Sequence, residues 1–153
     1  MALEIERKFL VTSDDYKLSA KTVQIRQAYL SIDENMAIRV RVEKILASIN
    51  IKSKESERIN NEFEYVIPMD EAQSLIRMSP YPMIEKTRHM VQYEGNIWEV
   101  DEFYGDNSGL TVAEIELDHE DEEFQQPLWL GEEVTADYRY LNSNLAKKPF
   151  TSW

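Results

Sequence analysis

The chain has 153 residues, with 17 Lys and Arg against 29 Asp and Glu and a formal net charge of −12. That length suits one domain spanning residues 1–153 with a substantial core, and a hydrophobic fraction of 42% suits a globular rather than a disordered chain. The acidic balance excludes a broad basic face for extended nucleic acid and argues against docking on an anionic membrane.

Cysteine is absent, so disulfides, zinc–thiolate sites and cysteine nucleophiles are excluded. The opening residues lack the apolar core of a signal peptide, and no apolar run approaches the roughly 20 residues of a membrane span. A cytoplasmic protein is the expectation. With only 4 Gly there is no glycine-rich phosphate loop, so any phosphate must be held by side chains. The charge is uneven. Residues 1–60 hold 11 basic and 9 acidic side chains, whereas residues 61–153 hold 6 and 20.

Along the chain the dominant signal is alternation with period two, the mark of strands with two unlike faces. Leu3–Val11 places Glu4, Glu6 and Lys8 on one face and Leu3, Ile5, Arg7 and Phe9 on the other. Thr12–Ala20 reads as a short helix or an irregular connection. Val23–Ile32 is the next strand, followed by a turn at Asp33-Glu34-Asn35. Met36–Ile45 sets Arg39 and Arg41 against Ile38, Val40 and Val42. Ala47–Ser53 sets Lys52 against Ile49 and Ile51, and Asn61–Ile67 sets Glu62 and Glu64 against Phe63 and Tyr65. Glu71–Met78 reads as a helix with Asp70 as its N-cap. Met83–Tyr93 carries Lys86 and Arg88 with one parity and His89 with the other, and Glu94-Gly95-Asn96 is a hairpin turn. Ile97–Tyr104 sets Glu99 and Asp101 against Trp98 and Val100, and Leu110–Asp118 sets Glu114 and Glu116 against Ala113, Ile115 and Leu117. A short acidic helix is expected over Asp121–Gln126, with Asn142 capping a last turn through Leu145–Lys148. Trp129 and Leu130 are expected to anchor the C-terminal segment over the barrel, where it covers one mouth. The expected architecture is mainly β: an eight-stranded antiparallel closed barrel with a few peripheral helices.

One charged strand face is ordinarily a solvated face. Here segment after segment repeats the pattern. If the apolar faces pack beneath outer helices, the charged faces line the barrel. Buried charge costs several kcal/mol unless it is paired or bound to ions, so a charged lumen is wet and functional. Lys8, Arg39, Arg41, Lys52, Lys86 and Arg88 suit a polyanion, because arginine forks match phosphate oxygens and lysine supplies mobile point charge. Glu4, Glu6, Glu62, Glu64, Asp101, Glu114 and Glu116 suit a hard divalent ion, Mg²⁺ or Mn²⁺, which prefers oxygen ligands. A polyanion beside a divalent cation describes a triphosphate-containing small molecule.

Glu4-Ile5-Glu6-Arg7-Lys8 resembles the Glu-x-Glu-x-Lys signature of the CYTH superfamily, the triphosphate tunnel metalloenzymes. The resemblance runs in order through Gln27-Ala28-Tyr29-Leu30, Arg39-Val40-Arg41, Ile51-Lys52, Glu62-Phe63-Glu64-Tyr65, Glu85-Lys86-Thr87-Arg88, Trp98-Glu99-Val100-Asp101, Ala113-Glu114-Ile115-Glu116 and Gly131-Glu132-Glu133-Val134-Thr135. It implies an eight-stranded tunnel that binds triphosphate with a divalent metal, and above all hydrolysis of inorganic triphosphate to diphosphate and phosphate. The alternatives it leaves open are a class IV adenylate cyclase, a thiamine triphosphatase and a non-catalytic polyphosphate-binding module. By similarity Tyr29 pairs with Lys8, and cations near Lys8 are expected to depress its pKa and let it exchange protons. Family members usually carry Arg two residues before the Glu62/Glu64 pair. Here that residue is Asn60, and a bulge is expected to bring Arg58 into the lumen instead. A homodimer is the corresponding expectation for the assembly.

Overall fold

The computed structural model describes residues 2–18 and 20–153. Ser19, inside the expected Thr12–Ala20 connection, lies outside them.

Among the described residues nine strands form: β1 (Ala2–Val11), β2 (Lys21–Ile32), β3 (Met36–Glu43), β4 (Leu46–Lys54), β5 (Ile59–Ile67), β6 (Ile84–Tyr93), β7 (Asn96–Phe103), β8 (Thr111–Leu117) and β9 (Leu130–Glu133). Two α-helices accompany them, α1 (Met69–Met78) and α2 (Asn142–Lys147). The sheet order is β5-β4-β3-β2-β6-β7-β8-β1-β9, and the further pairing of β5 with β1 closes the first eight strands into an antiparallel barrel.

Local chemistry sets the hairpins. The Asp33 carboxylate accepts from the Asn35 and Met36 amides, both at 2.8 Å, and turns β2 into β3. Glu94 (φ 48°) and Gly95 (φ 82°) make the tight β6–β7 turn, whose left-handed backbone matches strand twist. β1 is long enough to serve two neighbours on one edge. Its start pairs with β5 (Glu4 opposite Asn60), and its end pairs with β9 (Phe9 opposite Glu133). This closeness requires a glycine in β9: a Cβ on Gly131 would lie 3.0 Å from the Leu10 carbonyl oxygen.

Much of the apolar core lies outside the barrel, and part of it fills one end of the interior. Ile5, Phe9, Trp98, Val100, Ala113 and Ile115 form one outer cluster with Tyr16 and Trp129. Trp98 is fully buried and makes edge contacts with Phe9, Phe124 and Trp129 at ring separations of 5.5–5.9 Å. Ala72 of α1, with Leu75 and Ile76, covers Val40, Val42 and Ala47. Alternation obliges the strand faces opposite these outer clusters to point inward. On that inward face Ile84, Phe103 and Val112 share the parity of Lys86, Asp101 and Glu114, and Leu145 and Ala146 of α2 join them to close one end of the barrel.

Three details differ from expectation, and the Thr12–Ala20 connection takes an expected form. β9 is an additional strand. Helix α1 starts at Met69 after Pro68, whose carbonyl receives the Ala72 amide, so Asp70 lies in the first turn and does not cap. Asp121–Gln126 forms no helix; the chain there is irregular and packs Phe124 against Phe9 and Trp98. Thr12–Ala20 contains a 3₁₀ turn over Asp15–Leu18, which buries Tyr16. No helix among the described residues is long and apolar enough to cross a membrane.

Candidate functional site

The barrel encloses a cavity of about 1140 Å³. Its lining includes Glu4, Glu6 and Lys8 of β1, Tyr29 of β2, Arg39 and Arg41 of β3, Lys52 of β4, Glu62 and Glu64 of β5, Lys86 and Arg88 of β6, and Glu114 and Glu116 of β8. The circular strand order sorts these by sign. The run β4-β3-β2-β6 carries Lys52, Arg39, Arg41, Lys86 and Arg88. The run β7-β8-β1-β5 carries Glu99, Asp101, Glu114, Glu116, Glu4, Glu6, Glu62 and Glu64, with Lys8 as its cation.

Opposite charges meet where the two arcs adjoin. At the β4–β5 seam, Lys52 Nζ lies 2.9 Å from Glu4 and 4.0 Å from both Glu6 and Glu62. These carboxylates outweigh burial and the nearby Arg39, and they raise the Lys52 pKa. At the β6–β7 seam, Asp101 accepts from Lys86 Nζ at 2.7 Å and from Arg88 at 2.9 and 3.0 Å, while Arg88 also reaches Glu99 at 2.8 Å. Burial opposes the charge of Asp101, but Arg88 and Lys86 outweigh it and hold this carboxyl well below the usual range.

The middles of the arcs are less well compensated. Burial, reinforced by Arg39 and Arg88, pushes the Arg41 guanidinium down to about 10. Burial and then the repulsion of Glu4, Glu99, Glu6 and Glu62 push the Glu116 carboxyl up to about 7. In the basic middle the carboxylate nearest Arg41 is Glu43, at a loose 3.6 Å, and in the acidic middle Lys8 is held by Glu114 at 3.1 Å, so each middle keeps an excess of one sign.

Two expected site residues sit elsewhere. Asp101 is fully buried behind the lining as the counter-ion of Lys86 and Arg88, so its oxygens are already engaged. Arg58 precedes β5, and its guanidinium donates to the Glu120 carbonyl at 3.1 Å rather than entering the cavity. No bulge re-aims it; Asn60 takes the inward position, buried opposite Glu4 and Lys54.

The electrostatics of Lys8 also differ from expectation. Burial disfavours its charge, but Glu114 at 3.1 Å and then Glu6 outweigh burial and Lys52, so its pKa is raised. The most depressed lysine is Lys86, which burial, backed by Arg88 and Arg41 against Asp101, pushes down to about 7. Tyr29 stands opposite Arg39 across β2–β3, where the expectation pairs it with Lys8.

Sequence reasoning missed several cavity residues. Asn50 and Lys54 share the inward parity of Lys52, and Glu99 that of Asp101, so parity alone could have found them. Asn50 accepts from Arg39 Nε at 3.4 Å, and its own amide nitrogen has no partner among the described residues. Tyr138, Leu141, Asn142, Ser143 and Asn144 come from the C-terminal segment and carry no such signal. Asn142 does not cap α2: Leu141 is the N-cap residue, and Asn142 points into the cavity. His89 faces the outer cluster, where it is buried 5.1 Å from the Tyr16 ring, and neither ring nitrogen has a hydrogen-bond partner among the described residues.

The chemistry of the donor set bears on a metal. The acidic arc offers only carboxylate oxygens, which suits a hard divalent ion. Among the described residues no group of three acidic or histidine side chains converges into a ready cage. That is compatible with Mg²⁺, which keeps several waters and is commonly held by one or two carboxylates together with substrate phosphates.

The family model described as CYTH domain matches residues 2–149. The chain is 46% identical over 154 aligned residues to an inorganic triphosphatase of Acetivibrio thermocellus, covering 100% of this chain and 99% of the relative. It is 37% identical to an inorganic triphosphatase of Nitrosomonas europaea, covering 94% of this chain and 96% of that protein. A crystal structure of an inorganic triphosphatase superposes with a TM-score of 0.69 at 35% identity, covering 95% of each chain.

Proposed function

The chain belongs to the CYTH domain family, and from that premise we propose that it hydrolyses inorganic triphosphate to diphosphate and phosphate inside the barrel, with a divalent metal, Mg²⁺ or Mn²⁺. The observation that carries this reading is the division of the cavity wall into a basic and an acidic arc whose middles are each under-compensated. Triphosphate complements the first, and a divalent ion bound to that triphosphate complements the second. Two full-length relatives named inorganic triphosphatase support the same reading.

The residues then take the following parts. Arg39, Arg41, Lys52, Lys86 and Arg88 grip the phosphoryl oxygens, the arginines as planar forks and the lysines as point charges. Their strands fix them before substrate arrives, so they stabilise charge developing on the terminal phosphoryl group without reorganisation. Lys8 stays charged between Glu114 and Glu6 and serves as an anchor on the acidic side. Tyr29 stands opposite Arg39 on the cavity wall, and Asp101 holds Lys86 and Arg88 in place. Glu4, Glu6, Glu62, Glu64, Glu114 and Glu116 are the carboxylates available to a metal. When bound there, the ion neutralises phosphate charge and lowers the pKa of a coordinated water. Water adds to the terminal phosphorus as its bridging P–O bond breaks, and diphosphate leaves.

The test is a substrate panel. Inorganic triphosphate, ATP and thiamine triphosphate are each incubated with Mg²⁺ or Mn²⁺, with phosphate release measured and products separated by chromatography. The expected result is the highest kcat/KM for inorganic triphosphate, with phosphate and diphosphate in equal amounts. Cyclic AMP from ATP as the main product would show a cyclase, and binding without turnover of any member would show a module.

A further inference from the structure

We propose that Asn142, on the C-terminal helix, is a positioning residue for the tunnel: its amide oxygen fixes where Lys86 and, through Gln27, Arg41 present their charge. This rests on the reading of the tunnel as the triphosphate site.

The carboxamide oxygen of Asn142 accepts from Lys86 Nζ at 2.9 Å and from Gln27 Nε2 at 2.9 Å. The oxygen of Gln27 in turn accepts from Arg41 Nε at 3.1 Å. Lys86 and Gln27 are almost completely buried, and Asn142 reaches them from the cavity side. Two amides therefore span the gap between two cations on different strands.

Donor and acceptor chemistry dictates the direction of this relay. Lysine and arginine only donate. Lys86 therefore requires an oxygen from Asn142. With that oxygen facing Gln27 as well, Gln27 must offer its nitrogen there, which leaves its own oxygen for Arg41. Every amide orientation follows from the two cations at the ends. On Lys86, Asp101 and Asn142 take two of the three ammonium protons and leave the third for the tunnel. A lysine stem is otherwise flexible, so these two acceptors locate the charge. Without the Asn142 oxygen, Gln27 is free to turn its NH₂ group toward Arg41, where donor would face donor.

The arrangement also gives α2 a part in the reaction. Leu145 and Ala146 dock the helix on the apolar cluster that closes one end of the barrel, while Asn142 at its first position enters the cavity. The helix thus ties the closed end of the tunnel to the placement of two substrate-gripping cations, although it supplies no charge to that network.

The experiment is a double-mutant cycle on Asn142→Leu and Gln27→Leu in the full chain, reading KM and kcat for inorganic triphosphate together with Tm. Each single variant is expected to raise KM about 10-fold, the lower end for residues that orient ligand-binding side chains. The double variant is expected to stay within about threefold of the worse single, since both break one relay. Leu145→Ala, which loosens the docking of α2 without removing either amide, is expected to lower Tm with little change in KM. A KM for Asn142→Leu within twofold of the parent, multiplicative effects in the double variant, or an equal rise in KM for Leu145→Ala would each overturn the inference. Should Asn142→Leu not fold, Gln27→Leu interrogates the same relay from β2, and an unchanged KM there overturns it as well. A parent protein that does not hydrolyse triphosphate sinks the functional reading itself. An active parent with an indifferent Asn142 sinks only the relay.

Discussion

The basic and acidic arcs of the tunnel are built alike but compensated differently along their lengths. Each spans four consecutive strands of the closed sheet, and each is neutralised at its seams, by Lys52 with Glu4 and by Arg88 and Lys86 with Asp101. Away from the seams like charges crowd together: Arg41 is held below its ordinary range beside Arg39 and Arg88, and Glu116 above its ordinary range among four glutamates. A wall designed for stability alone would interleave the signs. Segregating them stores repulsion that a bound metal–triphosphate relieves, so the same arrangement weakens the empty fold and strengthens the loaded one.

The largest expected effects come from removing the middle of either arc. Arg41→Ala and Glu6→Ala should each lower kcat/KM for triphosphate by about 10²–10³, the usual cost of losing one transition-state contact. Full activity in either variant breaks the comparison. The outer core provides the contrast. Trp98→Ala should cost about 3–5 kcal/mol of stability by opening a cavity, while activity per folded molecule, measured well below Tm, falls far less than in the arc variants.

A sharper test lies in Glu116. A carboxyl whose pKa is higher folded than unfolded favours the fold only while it is protonated. Its contribution is therefore lost as pH rises from about 4.5 through about 7, and metal-free stability falls in that window. Glu116→Gln should remove this penalty. At pH 8 without metal it should be more stable than the parent by about 1 kcal/mol, a figure discounted because the side chain faces tunnel solvent. Adding Mg²⁺ should narrow the gap, and turnover should still drop. Urea denaturation at pH 5 and pH 8, with and without Mg²⁺, measures the stabilities, and phosphate release from triphosphate measures the turnover. A variant less stable than the parent at pH 8 without metal would count against an uncompensated acidic arc. The smallest effect belongs to Arg58→Ala, which should leave kcat/KM within threefold because its guanidinium contacts Glu120 outside the cavity. A loss of 10²-fold would place it back among the substrate contacts.

The barrel and most of its lining were legible because alternation reports which residues share a face, as with Glu4, Glu6 and Lys8 or Arg39 and Arg41. Alternation does not report which strands are neighbours. The ladder placed Asp101 between Lys86 and Arg88 and turned an expected metal ligand into a counter-ion. It placed Glu114 opposite Lys8 and raised a pKa expected to fall. β9 was hidden because four residues around Gly131 show no clear period, and the strand depends on the free edge of β1. The acidic run before Pro127 has a helical composition, yet it is irregular and packs Phe124 beside Phe9 and Trp98. Asn142 was read as a helix cap because local sequence favours Asn there. Its partners lie 56 and 115 residues away in the chain, beyond any local pattern.

The central claim is that the two arcs act together on one metal–triphosphate, and it is tested most directly by release of phosphate from inorganic triphosphate with and without a chelator. The account expects turnover with Mg²⁺ or Mn²⁺, one phosphate and one diphosphate per triphosphate, and near-complete loss when the metal is chelated. Equal release in the presence of chelator, or metal-dependent binding with no release, would contradict it.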